Sequence, residues 1–174
     1  TWFSGNPEAI HGINWLPVTA ASLYLGRWPD YAEKNYRALI SENLDDDAKK
    51  AAKSGKPNTN PDGTHWDSWP DVIRQFRALT DATDALAQET EAAKAPKIDI
   101  EAGNSHANVV TWIESLSKLG QVDRSVTANT TCYAVFSKSG RRSHVAWNLS
   151  DKPHTVRFSD GVELTVPPRK SAVK

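Results

Sequence analysis

The hydrophobic positions change period near residue 120. Upstream, apolar residues recur at intervals of three and four: Ala32, Tyr36, Leu39 and Ile40 in DYAEKNYRALI, then Trp69, Val72, Ile73, Phe76 and Leu79 in WPDVIRQFRAL. The same spacing returns with Val109, Trp112, Ile113, Leu116 and Leu119 in HANVVTWIESLSKL. It places each set on one face of an α-helix. Downstream, CYAVF, SHVAW, TVRF and VELTV are short runs of β-branched and aromatic residues separated by Lys138-Ser139-Gly140, Ser150-Asp151-Lys152-Pro153 and Asp160-Gly161. They predict an antiparallel β-meander. The predicted class is α+β, with helices over residues 1–125 and strands over 126–174.

Punctuation residues sharpen this outline. Asn6 with Pro7 and Gly12 frames one helical turn, and Pro17 and Gly26 frame a second segment, VTAASLYL. Ser68 is placed to cap the helix WPDVIRQFRAL, with Asp71 three residues on. DATDALAQETEAAK predicts a solvent-facing helix ended by Pro96. Asn104 or Ser105 caps the next helix, and Gly120 stops it. Residues 43–64 are polar and broken by Pro and Gly, which predicts a long surface loop, briefly helical at its start.

Composition narrows the function classes. The 174 residues carry 21 Lys plus Arg against 21 Asp plus Glu, so no net field draws the protein to nucleic acid or an anionic membrane. No apolar run approaches the roughly 20 residues needed to span a bilayer. Cys132 is alone, and His11, His65, His106, His144 and His154 are scattered, so no zinc-type spacing exists and neither metal nor cofactor is implied. The chain contains no Met, which points to a piece of a longer protein. It also contains 7 Trp against 4 Phe and 4 Tyr, a weighting towards the side chain best suited to stacking on flat, C–H-rich faces such as sugar rings.

The candidate chemistry concentrates in PEAIHGINWLP, residues 7–17. Glu8 and His11 are spaced to share a face of a one-turn helix, where imidazole and carboxylate could couple; a capping Glu and a structural His are the simpler reading of one turn. Asn14 and Trp15 suit a sugar subsite, one hydrogen-bonding and one stacking, although Trp15 also suits a core. His65-Trp66-Asp67-Ser68-Trp69 forms a second aromatic and polar knot, in which Trp69 reads as packing and Trp66 stays open. Asp45-Asp46-Asp47 lacks the spacing of a calcium loop, and Ser105-His106 lies outside any nucleophile elbow. The sequons at Asn129 and Asn148 are a common accidental pattern. Glycoside hydrolysis usually requires two carboxyl groups flanking the scissile bond. Only Glu8 stands out as one of them; Asp30, Asp67 and Glu101 each have a simpler structural reading.

Four blocks, WFSGNPEAIHGINWLPVTAASLYLG, WPDVIRQFRALTD, NSHANVVTWIESLSKLGQVDRSVTANTTCYAVF and VRFSDGVELTVPPR, resemble the C-terminal portion of glycoside hydrolase family 81, the endo-β-1,3-glucanases. The resemblance implies an N-terminal β-sandwich, a linking region and an (α/α)6 toroid, with inverting hydrolysis of β-1,3-glucan in a long cleft. It implies that this chain supplies the last helical hairpins and the terminal strands, and that the protein is secreted. The family's general acid, an aspartate, and general base, a glutamate in an NQESSSE-type segment, lie upstream of the matched region. No such segment occurs here, so the catalytic pair is expected upstream of Thr1. The implied partners are β-1,3-glucan and the missing N-terminal part of the same enzyme. The block of Glu8, His11, Asn14 and Trp15 resembles a family loop at the cleft end of the toroid, which raises its ligand-contact reading; Trp66 is kept as a further candidate substrate contact. The alternative is a non-catalytic β-glucan-binding module. Cut from a toroid, Val72, Ile73 and Phe76 would lack partners and leave the fragment sticky.

Overall fold

The structure is a computed structural model that describes residues 4–56 and 66–174. The chain divides into two compact units, Thr1–Ser117 and Lys118–Lys174.

The first unit is helical. Helix α1 (Pro7–Gly12) begins where the Asn6 side chain accepts the Ala9 N–H at 3.0 Å, with Pro at the first helical position. A 3-10 helix follows over Ala20–Arg27, later than Pro17 suggests, because Thr19 and Ser22 form a reciprocal capping box there. Helix α2 (Pro29–Ser54) is the long element, closed by Gly55 in the left-handed region at φ +70°. It corrects the loop expected from residue 43 onward. Its buried face continues as Asn43 and Asp47 after Ala32, Tyr36 and Leu39, so the period persists in polar residues that a hydrophobic count passes over. The Ala- and Lys-rich stretch after Asp47 has high helix propensity, and Lys50 pairs with Asp46 at 2.7 Å. The rest of the expected loop, residues 57–65 with His65, lies outside the described residues.

Helix α3 (Pro70–Arg77) starts after Trp69, which adopts the left-handed conformation at φ 54° and supplies no side-chain cap. The expected Ser68–Asp71 capping box is absent because both residues are otherwise engaged. Ser68 donates its N–H to Glu8, and Asp71 accepts from Glu101 and Asn104. Helix α4 (Ala82–Ala92) is capped by Asp81 and buries Ala85, Glu89 and Ala92, so it is not wholly solvent-facing. Helix α5 (His106–Leu119) buries Val109, Trp112, Ile113 and Leu116, with the Ser105 hydroxyl accepting the Asn108 N–H at 3.1 Å. Val72, Ile73 and Phe76 are at most 4% exposed, which corrects the expectation that they lack partners in this chain.

The second unit is built of strands β1 (Gln121–Val122), β2 (Tyr133–Lys138), β3 (Arg141–Trp147), β4 (His154–Arg157), β5 (Glu163–Val166) and β6 (Ser171–Val173). The sheets are antiparallel, one ordered β1-β2-β3-β6 and the other β4-β5, so the four expected strands do not form a single meander. Asn148 is responsible for the break. It is buried after β3, its amide donates to the carbonyls of Lys152 at 2.7 Å and Val166 at 3.0 Å, and its oxygen accepts the Ser150 N–H at 2.9 Å. The chain therefore turns away from β3, and β6 takes the vacant edge. Val126, Val135, Ala146, Val156, Phe158, Leu164 and Val166 form this unit's core. Ser139 and Gly140, both at positive φ, make the two-residue turn between β2 and β3.

Candidate functional site

The residues of PEAIHGINWLP diverge from α1 instead of converging on one ligand. Glu8 is fully buried, and its carboxylate accepts the N–H groups of Asp67 at 3.0 Å and Ser68 at 2.7 Å. Burial pushes its pKa up; the hydrogen bonds from Asp67, Ser68 and Asn6 oppose the rise. A buried carboxyl with a raised pKa suits a general acid. Here both oxygens are committed to backbone donors, so Glu8 fixes the approach to α3. His11 points instead to α2, with Nδ1 2.8 Å from Asn35 Oδ1 and Nε2 3.2 Å from Glu42 Oε2. The expected Glu8–His11 coupling is therefore replaced by two separate tethers.

The aromatic expectations change similarly. Trp15 is 3% exposed and stacks on Phe76 with ring centroids 3.8 Å apart and planes 5° from parallel. Trp66 is buried and lies 6.5 Å from the ring of Tyr36. Neither offers an open sugar-stacking face in this chain, which corrects that reading of both. Asn14 is exposed, and its amide donates to the Ile10 carbonyl at 3.1 Å, closing α1. Gly12 is required because a Cβ there would lie 2.6 Å from the Trp69 ring.

The segment beyond Trp15 does reach a cavity. A pocket of about 420 Å³ is lined by Leu16–Thr19 on one side and by Ala102–Ser105 with Asn108 on the other. Asn108 joins the two walls, donating to Val18 O at 3.1 Å and Asn104 Oδ1 at 2.8 Å. Asn104 in turn donates to Asp71 Oδ2 at 2.6 Å and Gln75 Oε1 at 2.9 Å. Asp71 and Gln75 are fully buried, and Asp71 Oδ1 and Gln75 Nε2 have no hydrogen-bond partner among the described residues. This amide and carboxylate chain holds the α5 approach rigidly. No carboxylate lines the pocket, so it can hold a hydroxylated ligand by amide and hydroxyl groups but contains no acid–base pair.

Sequence reasoning missed this network. It assigned Asp71 to a cap, Asn104 to a possible cap, and no role to Gln75 or Asn108. The available signal was a pair of polar residues, Asp71 and Gln75, one turn apart in a helix that also carries Arg74 and Arg77. A second buried polar contact ties the same helix to α4, where Arg74 Nε donates to Glu89 Oε2 at 2.6 Å. Among the candidate carboxylate partners, Asp67 is bound to Lys50, and Glu101 meets Asp71 through its backbone N–H. Among the described residues no group of His, Cys, Asp and Glu is placed to hold a metal ion.

No protein-family model matches the chain. A glucan endo-1,3-beta-D-glucosidase of Thermobifida fusca is 38% identical over 171 residues, 98% of this chain and 20% of that protein. Another of the same name, from Acetivibrio thermocellus, is 38% identical over 172 residues, 99% of this chain and 19% of its own length. A glycoside hydrolase family 81 structure from Clostridium thermocellum superposes with a TM-score of 0.77 at 36% identity, covering 100% of this chain and 21% of that one. Over essentially all of its 174 residues the chain is similar in both sequence and fold to these proteins, a solved glycoside hydrolase family 81 structure among them, and it spans about a fifth of their length.

Proposed function

We propose that the chain is the C-terminal part of an inverting endo-β-1,3-glucanase acting on internal bonds of laminarin-type glucan. The observation that carries this is its 38% identity, over nearly its whole length, to two proteins named glucan endo-1,3-beta-D-glucosidase. On this reading the helices are the last hairpins of an (α/α)6 toroid, and the strands pack on the rest of the enzyme. The pocket beside Leu16–Thr19 forms cleft wall, with His11 and Asn14 on the same segment and Glu8, Trp15 and Trp66 as buried supports. A polymeric substrate too large to enter a cell makes an extracellular enzyme the consistent location.

Inversion needs an acid to protonate the glycosidic oxygen and a base to activate water on the opposite face, roughly 6.5–9.5 Å away. The occupied oxygens of Glu8 argue against its serving as either, so both groups are assigned to polypeptide outside this chain. What these residues contribute is position: the Asp71–Gln75–Asn104–Asn108 chain fixes the pocket wall against which glucan lies. The test is laminarin hydrolysis by the full parent enzyme, with the anomeric form of the first product read by NMR. Inverted product with cleavage at internal bonds is expected; retained configuration or inertness on β-1,3-glucan would overturn the reading. The burial of Val72, Ile73 and Phe76 within the chain favours one rival, a glucan-binding module that folds alone. That rival predicts laminarin binding by the 174 residues themselves, and no requirement for this region in turnover by the parent.

A further inference from the structure

Aromatic residues that the core does not use gather at the junction of the 3-10 helix and α2. Tyr24 is 54% exposed, Trp28 58% and Tyr31 67%. Trp28, Pro29, Asp30 and Tyr31 enclose a hollow of about 330 Å³. Arg27 lies over the Tyr24 ring, 5.6 Å from its centroid, at the same junction. The backbone beneath is fixed: the capping box of Thr19 and Ser22 starts the 3-10 helix, Pro29 sets the first turn of α2, and Ala32 N–H bonds to Trp28 O at 2.9 Å. Gly26 sits close against Leu79, where a Cβ would come within 3.2 Å of the leucine side chain. The rings are thus presented from rigid elements.

We propose that this hollow is a β-glucan-holding site, with Trp28 and Tyr31 stacking on pyranose C–H faces and the Asp30 carboxylate accepting from sugar hydroxyls. The inference rests on the glucanase reading and extends it to residues that none of the comparisons assigns. Indole and phenol faces attract the polarised C–H groups of a β-linked pyranose, whose hydroxyls project around the ring edge towards acceptors. A hollow lined by two aromatic residues, a proline and one carboxylate has the apolar-with-few-polar make-up of a small-ligand site. Its volume is at the lower end of such sites, which suits one or two sugar rings. A protein partner or a second copy would be served by a broader apolar patch, whereas a carboxylate beside the rings would then be desolvated without a partner.

The test uses the full parent enzyme and measures co-sedimentation with insoluble β-1,3-glucan alongside melting temperature. Trp28→Ala and Tyr31→Ala are expected to weaken binding about five- to tenfold, the equivalent of one lost stacking contact, at unchanged melting temperature. Trp28→Phe, which keeps an aromatic face, is expected to restore most of the binding. Unchanged binding by both alanine variants would overturn the proposal. So would a lowered melting temperature that the Phe variant rescues together with binding, since the rings would then pack against the rest of the enzyme. If the unaltered parent neither binds nor cleaves β-1,3-glucan, the glucanase reading itself fails, an outcome distinct from either.

Discussion

Glu8 shows how one residue can carry the look of catalysis and the work of scaffolding. Its carboxylate replaces water for the backbone N–H groups of Asp67 and Ser68, which lie just ahead of α3. Gln offers one acceptor where two are needed and turns an amide against the remaining N–H. Glu8→Gln is therefore expected to destabilise the protein by about 1–3 kcal/mol, read as a lower melting temperature of the parent. The pH dependence has a defined sign. The folded pKa of Glu8 is raised above its ordinary 4.5 chiefly by burial, so its titration-linked contribution is fully present below 4.5 and is lost as pH rises through the folded value. The stability gap between the parent and the Gln variant should accordingly narrow from pH 4 towards neutrality. A gap that widens over that range would contradict the burial account.

At the scale of elements, the segment that follows α1 is joined to α3 by the stack of Trp15 on Phe76. Trp15→Ala removes an indole from a site 3% exposed and is expected to cost about 3–5 kcal/mol, measured as loss of melting temperature that accompanies any loss of turnover. Asn104→Ala should lower stability less, by about 1–3 kcal/mol, while leaving Asp71 and Gln75 short of a shared donor. These cases also show what was legible in the sequence. The helices α1, α3 and α5 and the central strands follow from apolar spacing and from Asn6, Pro7 and Gly120, because local propensity and burial agree there. The second half of α2 was hidden because its inward face is Asn43 and Asp47, and the pattern of apolar residues ends before the helix does. Trp15 was undecided for a related reason: an indole suits a sugar face and a core alike, and only Phe76, 61 positions away in sequence, decides between them. The pocket network was illegible because it joins Val18, Asp71, Gln75, Asn104 and Asn108 across three separate segments.

At the scale of the whole molecule, the two units meet acid with different chemistry. In the strand unit, Asp123 is held down to about 2 by hydrogen bonds from the Ser125 hydroxyl, 2.6 Å away, and then from Arg142, 2.8 Å away. Asp160 is lowered as well; desolvation opposes the shift, and the hydrogen bonds from His144 and the Val162 N–H, with the Arg142 charge, together outweigh it. Both belong to the depressed-carboxylate case: the stability they contribute is present above their ordinary value near 3.8 and is lost as pH falls through the folded value. In the helical unit Glu8 works in the opposite direction and at higher pH, its contribution being complete below 4.5. Acidification from pH 4 to 2 should therefore loosen β2 and β3, which lie over the Asp123–Arg142 contact, and hydrogen exchange of their peptides can follow this directly. Ser125→Ala removes the hydroxyl hydrogen bond that lowers Asp123 most, so its folded pKa moves back towards 3.8 and the loss of protection begins at higher pH. The same substitution should leave exchange in α3 unchanged, since Glu8 and the α3 approach share no hydrogen bond with Ser125. Identical exchange profiles for the parent and the Ser125→Ala variant would show that the Asp123 cluster does not govern the acid response of the strands.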